Sequence, residues 1–99
     1  MKIVWTPQAV KGLENVLNYL EDAWSASEIN LLEENLTDLL KRIREHPEIC
    51  PATSHFKGVR KGLVDKNNYI IYRIHSDRNL IEIINFRGTK QNDPGSFLK

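Results

Sequence analysis

The sequence has one cysteine, Cys50, which excludes an intrachain disulfide and leaves no thiol cluster for structural zinc. That usage fits a reducing cytosol. No apolar run approaches the roughly 20 residues that span a bilayer, and the opening Met1-Lys2-Ile3-Val4-Trp5-Thr6-Pro7 lacks the apolar core of a signal peptide. Membrane insertion and export are disfavoured, and a cytoplasmic location is expected. Neither sign of charge dominates, with 14 Lys and Arg against 13 Asp and Glu. A disordered polyelectrolyte and a polyanion binder acting through net charge are both excluded. A glycine-rich phosphate loop is missing too, because Lys57-Gly58 and Lys61-Gly62 lack the spacing such loops need. What is there is a 99-residue chain, 40% apolar, expected to fold as a single domain over residues 1–99 and too short for a multidomain enzyme.

The near balance of charge hides a division. Residues 1–54 carry five Lys or Arg against nine Asp or Glu, whereas residues 55–99 carry nine against four. An acidic half followed by a basic half predicts one face suited to an anionic partner.

Thr6-Pro7 reads as a helix start, with Thr as the cap and Pro at the first helical position, where its missing N–H costs nothing. Val10, Leu13, Leu17, Leu20 and Trp24 then alternate spacings of three and four, which lays one apolar stripe along the helix. Gly12 is its weak point, worth about 1 kcal/mol against Ala. Ser25-Ala26-Ser27-Glu28 reads as a capping box that opens a second helix. Its stripe is Ile29, Leu32, Leu36, Leu39 and Ile43, and Pro47 ends it. Two such helices form an antiparallel hairpin whose stripes need a further apolar surface.

After His55 the period becomes strand-like. Val59 to Val64, Tyr69 to Ile74 and Leu80 to Phe86 read as consecutive hairpin strands, separated by the turn sequences Asp65-Lys66-Asn67-Asn68 and Ser76-Asp77-Arg78-Asn79. Ile70, Tyr72 and Ile74 share one face, while Ile71, Arg73 and His75 point the other way. Lys2 to Trp5 adds one short strand. The expectation is an α+β fold in the order β-α-α-β-β-β with an irregular, polar C-terminal tail.

His46, His55 and His75 have none of the short spacings that bring metal ligands together, so no zinc site is expected. His46 falls in the last helical turn, where a cation complements the helix dipole. His75 adjoins a turn and reads as exposed, which leaves His55, beside the basic run, as the histidine placed to carry a proton. Glu14, Glu33 and Glu34 read as solvated charges on polar helix faces. The basic set Lys57, Arg60, Lys61, Arg73, Arg87 and Lys90 remains. Such groups grip phosphates, stabilise the charge that develops when an RNA 2′-hydroxyl attacks its own phosphodiester, or pair with an acidic peptide.

The element order and several strings resemble the RelE/ParE superfamily of toxins from bacterial type II toxin-antitoxin modules. The strings are Val4-Trp5-Thr6-Pro7-Gln8-Ala9 with Leu13 and Tyr19-Leu20, the helix end Glu45-His46-Pro47, and Gly58-Val59-Arg60-Lys61-Gly62-Leu63-Val64. Asn68-Tyr69-Ile70-Ile71-Tyr72-Arg73-Ile74 and the closing Phe86-Arg87-Gly88-Thr89-Lys90-Gln91-Asn92-Asp93-Pro94 complete the match, which covers nearly the whole chain. The resemblance implies growth inhibition and plasmid stabilisation, no cofactor and no metal. It also implies a cognate antitoxin whose C-terminal segment wraps the toxin as a helix plus an extended strand. A groove between the helices and the sheet would take an apolar helix of that partner, and the basic half its acidic residues. Self-association through an exposed helical face is left open.

The superfamily has two functional branches. RelE-like members are metal-independent ribonucleases that cut mRNA in the ribosomal A site, and ParE-like members poison DNA gyrase. The ribonuclease branch has an arginine at the start of the penultimate strand, where this chain has Tyr69, and a second late in the last strand, which Arg87 matches. It also has a Tyr or His acid-base group in the tail, where this chain has Phe97. These departures, with the Tyr-Ile-Ile-Tyr-Arg-Ile string and the Trp-containing start, resemble the ParE-like branch more. That branch implies a gyrase inhibitor with no catalysis of its own, binding its target through Arg60, Lys61, Arg73, Arg87 and Lys90. The alternative, a ribosome-dependent mRNA endoribonuclease, keeps Arg60, Arg73, Arg87 and Lys90 as phosphate grips with His55 or Tyr69 as proton carrier. A third reading is an inactive relative surviving as a binding module, whose mark would be loss of cationic groups that this chain retains.

Overall fold

The computed structural model describes residues 1–23, 26–53 and 57–88, the first stretch with side chains as far as Tyr19. Its elements are β1 (Lys2–Trp5), α1 (Pro7–Ala23), α2 (Ala26–Glu45), β2 (Val59–Asp65), β3 (Asn68–His75), a 3₁₀ turn (Ser76–Arg78) and β4 (Leu80–Gly88). This is the expected α+β order. The sheet runs β1-β4-β3-β2, with an antiparallel meander of β2, β3 and β4 and with β1 parallel to β4. Both helices lie on one face, α1 chiefly over β4 and α2 chiefly over β2, each packed more on the sheet than on the other. No described helix is long and apolar enough to cross a membrane.

Local chemistry sets the connections. At the β2–β3 hairpin the Asp65 carboxylate accepts from the Asn67 N–H at 2.7 Å and from Asn68 Nδ2 at 3.0 Å, an Asx turn that closes the loop. After the 3₁₀ turn Asn79 takes a left-handed conformation, φ 53°, which asparagine tolerates better than most residues.

The α2 stripe is as the spacing predicts: Leu32, Leu36, Leu39 and Ile43 are buried, and Ile29 is half-buried. In α1 the buried face is rotated from the expected one. Ala9 and Val16 are buried, Leu13 and Leu17 are partly buried against the core, and Val10 is 42% exposed. The cause is small residues. A Cβ on Gly12 would lie 2.1 Å from the Phe86 carbonyl oxygen, so Gly12 lets the helix backbone rest against β4 rather than being a weak point. The expected positions Leu20, Trp24 and Ser25 lie outside the described side chains.

β4 departs from simple alternation. Tyr72 pairs with Ile83 and Ile71 with Asn85, so Ile84 is an extra residue, a β-bulge. Thr6 sits on this bulge. Its N–H donates to Ile83 O at 3.1 Å, and its hydroxyl lies 3.1 Å from Ile83 O and 2.9 Å from Ile84 O while accepting from the Ala9 N–H at 3.1 Å. One side chain thus caps α1 and anchors it to the irregular point of β4.

Tyr72 is fully buried at the other end of the core, and its hydroxyl donates to Pro47 O at 2.7 Å. That bond ties the chain after α2 to the sheet. Burial first, and then the neighbouring Cys50 thiol, raise the phenol well above its ordinary ionisation range.

Two outcomes are expected. Gly to Ala inside a helix ordinarily gains about 1 kcal/mol, but Gly12→Ala should lose about 3 kcal/mol, lowering Tm by about 10 °C or more; a raised Tm in thermal denaturation would contradict the close approach. Because the native state raises the Tyr72 ionisation, its contribution is complete below the unfolded value of about 10 and is lost as pH rises above it. Chemical denaturation should therefore show wild type more stable than Tyr72→Phe at neutral pH, by about 1 kcal/mol, with the gap closing above pH about 10.

Candidate functional site

Paired residues on neighbouring strands share a face of the sheet. The register gives the side away from the helices four cross-strand rows: Lys61, Ile71 and Asn85; Leu63, Tyr69 and Arg87; Val59, Arg73, Glu82 and Val4; and His75, Leu80 and Lys2. Lys61, Arg73 and Arg87 therefore stand on one open face, on three adjacent strands. Arg87 reaches it only because of the bulge. With Ile81 and Ile83 facing the helices, strict alternation would turn Arg87 inward as well, and the extra Ile84 instead sends Phe86 into the core, 1% exposed, and Arg87 out.

Arg60 is not among these. It pairs with Tyr72 on the helix side, where its Nη1 donates to Cys50 O at 2.7 Å and to Glu48 O at 3.4 Å. It straps residues 48–52 to the edge of β2, beside the Ala52–Arg60 bridge. Of the expected target-binding set, then, the structure puts Lys61, Arg73 and Arg87 on one face and Arg60 on the other. Lys90 and His55 lie outside the described residues, as does Phe97.

Among the described residues the open-face cations lack anionic partners. The Lys61 ammonium lies 4.3 Å from the centroid of the Tyr69 ring, a cation–π contact, and Tyr69 is 6% exposed. Arg73 has no ion pair among the described residues, and the Arg87 Nε is buried with no acceptor there. The one carboxylate in these rows, Glu82, is engaged elsewhere: its Oε1 lies 2.9 Å from Nε2 of His75. His75 is thus paired and largely buried, its side chain 22% exposed, where its position beside a turn reads as exposed. The pairing was within reach of the sequence, since a register counted back from the Ser76–Asn79 turn puts residues 75 and 82 on the same face. His46, just beyond α2, is exposed, and its N–H donates to Arg42 O at 2.8 Å.

Among the described residues no three His, Cys, Asp or Glu side chains converge as metal ligands would. Among the described residues the positive charge of this face is uncompensated, as an anion-binding surface requires. A separate surface groove of about 680 Å³ runs beside the start of α1, lined by Trp5, Pro7, Val10, Lys11, Glu14 and Asn18 among others. Trp5, one of the lining residues, is stacked on Phe86 with ring centroids 6.5 Å apart.

Comparison with known proteins agrees with this architecture. Among solved structures, a YoeB/ParE toxin from Agrobacterium tumefaciens superposes with a TM-score of 0.64 over 89% of this chain and 98% of that one, at 17% identity. YafQ from E. coli strain BL21(DE3) superposes with a TM-score of 0.59 over 91% and 94%, at 19% identity. At such identities the likeness carries the fold. No curated protein matches the sequence. Residues 3–93 match the family described as the ParE toxin of the type II toxin-antitoxin system, parDE. With that match over nearly all of its length and with the β-α-α-β-β-β fold, the chain belongs to the ParE toxin family, a toxin of a type II toxin-antitoxin system in the RelE/ParE superfamily.

Proposed function

We propose that this toxin arrests growth as a ParE-like poison of DNA gyrase, through the open face of its sheet, until its cognate antitoxin binds. The observation that carries the reading is Tyr69. At the head of β3, where the ribonuclease branch has a phosphate-gripping arginine, this chain has a ring 6% exposed beneath the Lys61 ammonium. Arg87 is then the one grip of that branch that the chain matches. Lys61, Arg73 and Arg87, with Lys90 beyond the strand, form the target-binding set. Arg60 supports it from the other face by fixing residues 48–52.

One observation favours the ribonuclease reading instead. An imidazole fixed by a carboxylate is a competent acid-base arrangement, and His75 with Glu82 provides one on the face that bears Arg73. In that reading the ribosome and mRNA are the target and Arg73 and Arg87 hold the phosphate.

Expression in cells without antitoxin, reading plasmid DNA and a reporter mRNA in parallel, separates the two. The gyrase reading expects broken or relaxed DNA with intact mRNA, and relief of arrest by Arg87→Glu. Cut mRNA with intact DNA would overturn it.

In the same proposal the antitoxin's apolar segment seats in the groove beside α1, where Val10 is 42% exposed. Val10→Asp, which disturbs little of the core, should keep the arrest while abolishing rescue by coexpressed antitoxin. Retained rescue would place the antitoxin elsewhere.

A further inference from the structure

We infer that Lys61, Arg73 and Arg87 hold the phosphate backbone of duplex DNA, and that His75 is a positioning residue that keeps Arg73 available by holding Glu82 away from it. This deepens the gyrase reading and rests on it, since a gyrase poison works where DNA is held.

Glu82 stands directly across from Arg73 in the β3–β4 register, the position at which opposite charges ordinarily pair. They do not pair here. Glu82 Oε1 lies 2.9 Å from His75 Nε2, diagonal to it on the same face, and Arg73 is left without an ion pair among the described residues. A cation whose nearest carboxylate is held by a third group stays open to an external anion. Arg87 likewise has no ion pair among the described residues. Lys61, propped on the Tyr69 ring, is the third such cation.

The arrangement fits a duplex better than a single strand. Single-stranded nucleic acid is held by exposed aromatic rings on which bases stack, and the one aromatic side chain in the open-face rows, Tyr69, is 6% exposed. Cations spread over three adjacent strands and three successive rows suit a phosphate backbone contacted without reading base edges.

The test is fluorescence anisotropy of the purified toxin with a labelled short DNA duplex, and with single-stranded RNA of the same sequence, from about 50 to about 200 mM salt. Affinity for the duplex should fall with a log–log slope of about −3, and Lys61→Gln, Arg73→Gln and Arg87→Gln should each reduce that slope by about one. His75→Ala should weaken binding about as much as Arg73→Gln does, because Glu82 then turns to Arg73. Adding Glu82→Gln should restore wild-type affinity in the His75→Ala background. A structural defect would not show that coupling, and circular dichroism checks the fold of each variant.

Unchanged affinity in His75→Ala, absence of rescue by Glu82→Gln, or tighter binding of RNA than of duplex would overturn the inference. A parallel gyrase cleavage assay keeps the two readings apart. Gyrase poisoned by a toxin with no DNA affinity removes this inference and leaves the gyrase reading standing. DNA affinity with the predicted coupling, but with gyrase unaffected, upholds the site and removes the gyrase reading.

Discussion

The extra residue at Ile84, inserted between the pairs Tyr72–Ile83 and Ile71–Asn85, decides which side chains of β4 face the helices. Its energetics are one-sided. An unbroken strand would expose Phe86, forfeiting about 1.5–3 kcal/mol of burial, and would press the Arg87 charge into the core, which costs several kcal/mol more without a partner. The bulge leaves the carbonyls of Ile83 and Ile84 at an irregular point of the ladder, and Thr6 answers both while capping α1. Gly12, one helical turn and a half further on, lets the same helix rest on the Phe86 backbone. The seating of α1 and the side on which Arg87 emerges are therefore one structural fact.

The division of the cations follows from the same register. Arg60 and Arg73 look alike in the sequence, yet one lies on the helix side, satisfied by the carbonyls of Glu48 and Cys50, and the other stands opposite among Lys61 and Arg87. Carbonyl dipoles hold a guanidinium without cancelling its charge, so Arg60 contributes a strap rather than a grip. Among the described residues of the open face the one carboxylate is held by His75. Positive potential there is maintained by where Glu82 points as much as by how many basic residues are present.

Much of the fold was legible in the sequence because it rests on period and punctuation. The α2 stripe, the three hairpin strands, the Thr6-Pro7 start and the opposed faces of Ile70 and Arg73 all follow from side-chain spacing. What spacing could not supply was contact made by small residues. The α1 stripe read from Val10 and Leu13 missed Ala9 and Gly12, since a helix that touches a strand with its backbone shows no large apolar residue at the contact. The bulge was hidden by the doublet Ile83-Ile84, in which either isoleucine satisfies a hydrophobic pattern. In the candidate site, basic composition named Lys61, Arg73 and Arg87, but it also named Arg60, because charge does not reveal a face. Neither Glu82 nor His75 stands out singly, and only pairing across a turn makes them a unit.

The measurement that reaches the centre of this account is the inter-strand pattern of nuclear Overhauser effects across β3 and β4 in the labelled protein. The account predicts Tyr72 opposite Ile83 and Ile71 opposite Asn85, with no cross-strand partner for Ile84, contacts from the Phe86 ring to α1, and none from the Arg87 side chain. Ile84 paired directly with Ile71, and Arg87 in contact with α1, would contradict it and dissolve the open-face site.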